Sequence, residues 1–175
     1  MISVLISDLL DQIQGKPASR QVSPEGTAVP SDSPILRAIT QAGLLLERYT
    51  FAIENEGFYQ AMLTPDLLHH SLTEEESIAL ITALSELLKT DPTHAGMAAW
   101  ALGRTSEDGA REALAQALEQ WSNHPDNTVY QILAGLDNFG LAPYSELVWE
   151  VAQKGLPRSA ELARQVLTIN NDFRW

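Results

Sequence analysis

Cysteine is absent from the 175 residues, which excludes disulfide bridges and thiolate metal sites and leaves no cysteine signal of redox compartment. Positive charge is scarce: 11 lysines and arginines stand against 23 aspartates and glutamates, a formal net charge of −12. A chain with so few cations is poorly equipped to neutralise phosphates, so nucleic acid is not an expected partner. No apolar run approaches the roughly 18 residues that a membrane span needs, so no membrane partner is expected either. The opening MISVLISDLLDQIQ lacks a basic n-region and a small-residue cleavage site, and cytoplasm is the expected compartment. No stretch alternates apolar and polar residues long enough to make a strand. Catalytic signatures are missing too. Glycines occur singly, without a P-loop or dinucleotide fingerprint, and there is no Gly-x-Ser-x-Gly elbow.

What is present is helical periodicity. Ile2, Leu5, Ile6, Leu9 and Ile13 fall at helical spacing in an amphipathic segment over residues 1–13. Residues 14–33 then turn rich in Pro, Gly and Ser and lose all periodicity, which reads as a linker or irregular loop. So long a tether leaves the first helix three places to dock: its own body, another copy, or another protein. Docking on its own body is the expectation. Residues 34–175 read as a helical-repeat domain. Ser33-Pro34 opens a helix to about Asn55, carrying Ile35, Ile39, Leu46 and Ile53. Thr64-Pro65-Asp66 begins a short helical turn through His70, and Thr73 to Glu76 forms a capping box. Leu80, Ile81, Leu84, Leu87 and Leu88 are the predicted buried face behind it.

The next segment, Asp91 to Trp121, reads as a helical hairpin. Asp91 is the expected cap of its first helix, Gly103 the left-handed residue ending it, and Thr105 to Asp108 a second capping box. Ala110, Leu114, Ala117, Leu118 and Trp121 make the second helix's apolar face, with Trp100 and Trp121 expected in the core. Residues 98 to 118, AAWALGRTSEDGAREALAQAL, resemble a HEAT-type repeat of the short bacterial kind also found in phycobilisome-lyase-like proteins. That resemblance implies an all-α fold, an α-solenoid of antiparallel helix pairs of the HEAT/armadillo kind. Beyond it, apolar residues mark helices ending near Gly140, opening at Pro143 and opening at Pro157. Comparable leucines at Leu102, Leu136 and Leu167 lie 34 and 31 residues apart, a period that stacked helix pairs show.

No side-chain set singles out a reaction, so no catalytic residue, metal site or cofactor is assigned. His69 and His70 stand near Glu74 to Glu76, but neighbouring helical residues point about 100° apart and the H-E-x-x-H spacing is absent. Residues 47 to 91 hold nine acids and two bases, a negative surface suited to a basic protein. Glu74, Glu75 and Glu76 are its candidate contacts. Trp149, off the apolar face of its helix, and Trp175 at the last position are the candidate aromatic anchors. The expected function is a non-catalytic protein–protein binding module: an adaptor, assembly factor or immunity-type inhibitor holding a basic partner. The alternatives are an enzyme on a HEAT-like scaffold, such as a bilin lyase, and a structural homo-oligomer joined through residues 2–13.

Overall fold

The computed structural model describes residues 1–15, 33–52 and 56–169. Most of the tether, the expected helix end at Asn55, and Trp175 lie outside that set. The described residues form ten α-helices, two short 3-10 turns and no strand. They are α1 (Val4–Ile13), α2 (Pro34–Phe51), α3 (Glu56–Met62), α4 (Pro65–Leu68) and α5 (Glu74–Thr90), followed by α6 (Ala95–Leu102), α7 (Asp108–Glu119), α8 (Asp126–Asp137), α9 (Ser145–Lys154) and α10 (Pro157–Ile169). The helical periodicity thus becomes an all-helical protein, with buried residues falling at three- and four-residue intervals as an amphipathic stripe requires.

Local chemistry sets the ends. Ser3 accepts the Ile6 N–H and starts α1. Thr73 and Glu76 make the reciprocal capping box at the start of α5, where three glutamates meet the positive end of the helix. Leu80, Ile81, Leu84, Leu87 and Leu88 are buried along α5 as the spacing predicts. Helix α2 stops at Phe51 because Ala52 takes a left-handed conformation, φ 48°, while its N–H still reaches the Arg48 carbonyl. Pro143 sits in a 3-10 turn, and α9 begins only at Ser145.

Packing runs from element to element. Helix α1 lies on α2 and α5; α5 lies on α6 and α7; α6 lies on α2 and α8; α8 lies on α7 and α10; and α9 lies on α10. Ile6, Leu9 and Ile13 of α1 are buried, so its apolar face is covered by the protein's own body. One hydrophobic core joins all these helices. Helix α2 is buried along its middle: every residue from Gln41 to Leu46 is buried, as are Ala38 and Ile39.

Three details of the predicted hairpin change. Helix α6 begins at Ala95, and Asp91 instead ends α5 and holds the turn, accepting from the Thr93 and His94 N–H groups. Glu107, not Thr105, is the cap residue of α7, and no side chain caps it there. Thr105 is buried and shares a 2.7 Å hydrogen bond with Thr50 of α2. Gly103 has helical φ of −70°, so no left-handed cap exists. The position needs glycine for space: a Cβ there would lie 2.7 Å from the Gly135 Cα. Helix α6 accordingly leans far more on α5 and α8 than on its hairpin partner α7.

The Gly103–Gly135 approach brings the C-terminal ends of α6 and α8 together, and Asn138 Nδ2 adds a 2.9 Å hydrogen bond to the Gly103 carbonyl. Their N-terminal ends also meet, since a Cβ on Gly96 would lie 3.2 Å from Asn127 Nδ2. Helices α6 and α8 therefore run side by side in one direction, offset by 31 to 32 residues. Helices α8 and α10 begin together likewise, the Asp126 carboxylate accepting the Arg158 and Ser159 N–H groups at 3.0 and 2.8 Å. Trp100 and Trp121 are half-buried against this core, and the Arg104 guanidinium lies 4.6 Å above the Trp100 ring.

Candidate partner-binding surface

The three glutamates of the capping box part company. Glu74 and Glu75 are exposed on the first turn of α5, and Glu75 meets the Met1 amino group. Glu76 is 1 % exposed and turned inward. Its carboxylate accepts the Ser3 N–H at 2.9 Å and the Thr73 N–H at 3.0 Å, and hydrogen-bonds His70 Nε2 at 2.9 Å. Burial pushes the Glu76 pKa up, but the hydrogen bonds from Ser3, Thr73 and His70 outweigh it and hold the group at about 2. Glu76 is therefore a joint between α1, α5 and the loop before α5, not a residue that a partner can touch. That corrects its place among the candidate contacts.

Arg48 does for α4 what Glu76 does for α1. Its guanidinium donates to the Leu68 and Leu67 carbonyls at 2.7 and 3.1 Å and to the His70 carbonyl. These carbonyls end a four-residue helix that could satisfy few of them by itself. The two joints set α1 opposite α4. Between them lies a cleft of about 430 Å³, lined by Val4, Leu5 and Asp8 on one side and Pro65, Asp66, His69 and His70 on the other. A second cleft of about 410 Å³ opens where α1, α2 and α5 meet, with Ile13, Ile35, Leu87 and Glu86 among its walls.

The acidic stretch from residue 47 to 91 is dispersed by the fold. Glu47 pairs with Arg104 at 2.5 Å and accepts from the Tyr59 hydroxyl, whose pKa is raised by burial and by that carboxylate. Asp91 pairs with His94 at 2.7 Å, and that hydrogen bond keeps its carboxyl acidic. Asp66, Glu74, Glu75 and Glu86 remain on the exposed surface. Trp149 is 44 % exposed on α9, a helix that packs chiefly on α10 and shares no substantial contact with α5. The structure thus leaves Glu74 and Glu75 together, removes Glu76 from the surface, and puts Trp149 on another element. Trp175 is outside the described residues.

Val4, Leu5, Asp8 and Asp66 were not among the contact residues read from the sequence. Nothing local marks them, because the residues facing each other across the cleft stand about sixty positions apart in the chain. Among the described residues, no three His, Asp or Glu side chains gather where they could hold a metal ion. No helix among them is long and apolar enough to cross a membrane. No family model, curated protein or solved structure matches the chain.

Proposed function

We propose that this chain is a non-catalytic protein–protein binding module, a HEAT-like α-solenoid whose acidic exterior holds a basic partner protein. The observation that carries this reading is the 31- to 32-residue register in which α6 and α8 lie side by side, followed by an offset of 32 to 33 residues at the N-terminal ends of α8 and α10. Units that lean on their sequence neighbours at a fixed period build extended surfaces, and proteins of this build serve as binding platforms. The net charge of −12, with Asp66, Glu74, Glu75 and Glu86 outward, supports a basic partner and fast encounter with it. Adaptor, assembly factor and immunity-type inhibitor are the roles that such a surface suits.

Assembly through residues 2–13 gains no support, because Ile6, Leu9 and Ile13 already face the protein's own core. The test is affinity capture with the full chain as bait. Basic proteins released by raised salt are the expected catch. Capture of acidic proteins alone, or binding indifferent to salt, would overturn the reading. A new visible absorbance on mixing with a bilin would instead favour the lyase.

A further inference from the structure

We draw no further inference here: the strongest candidate, the apolar outer face of α3, where Phe58 and Met62 are both exposed one helical turn apart, carries nothing because nothing in the structure shows what covers it.

Discussion

Around α1 and α4, helices meet through charged groups taken out of water; between α6 and α8 they meet where side chains are missing. In the first region one carboxylate, Glu76, joins Ser3, Thr73 and His70, and one guanidinium, Arg48, holds three carbonyls. In the second, Gly103 lies against Gly135, and polar contacts only trim the helix ends. A buried carboxylate held by three hydrogen bonds keeps one geometry, because an unpaired charge there costs several kcal/mol. Contact between glycines is tolerant of chemistry and intolerant of volume. The two regions should therefore fail under different substitutions.

The largest effect is expected at the polar joint. Glu76→Ala leaves the Ser3 and Thr73 N–H groups without their acceptor and removes the capping box, costing about 3 kcal/mol. The melting temperature should fall by about 10 °C. Hydrogen exchange should show α1 opening while residues 95–169 stay protected; uniform loss of protection would erase the distinction between the regions. Gly103→Ala should cost about 2 kcal/mol, since its Cβ would meet backbone rather than a flexible side chain. Its signature is the reverse, weakened protection across α6 and α8 with α1 unchanged, read in the same exchange experiment.

Acid sharpens the comparison. Glu76 is held at about 2 against an ordinary 4.5. Its contribution is complete above pH 4.5 and is lost as pH falls from there toward 2. Burial pushes the His124 pKa below 6.5. Keeping that ring neutral stabilises the fold above pH 6.5, and the benefit declines as pH drops below that value. Denaturant midpoints measured against pH should decline in two stages, with the lower stage smaller in Glu76→Gln, where Asp91 and Asp126 still contribute to it, and the upper missing from His124→Gln. The smallest effects belong to the helix ends. Asn138→Ala and Asp126→Ala should each cost about 1 kcal/mol, and their denaturant midpoints should add when the two are combined.

The legible features were those in which cause and effect lie within a few residues. Thr73 and Glu76 stand three apart, so their reciprocal hydrogen bonds follow from spacing. The leucines of α5 follow from periodicity in the same way. Gly103 was legible as a special position but for the wrong reason. A glycine after a helix commonly signals a left-handed turn, and only the partner helix reveals that volume, not φ, is the constraint. Thr105 misled similarly: its hydroxyl is shared between Thr50, 55 residues away at 2.7 Å, and the Glu107 N–H at 3.3 Å, and does not reach into the first turn of α7. Glu76 satisfied the local rule and was still misplaced as a contact, because the same carboxylate also accepts from Ser3, 73 residues earlier.

By itself the sequence determined that the chain is helical, where most helices begin, which stripe of each is apolar, and that its charge is strongly negative. Those follow from backbone capping and from the 3.6-residue period, which act within a turn or two. Only the tertiary structure decided which helices lie against each other, which glutamates remain at the surface, and that α1 and α4 enclose a cleft between them. Such outcomes depend on groups brought together from tens of residues apart, where burial and volume, not local spacing, set the energy.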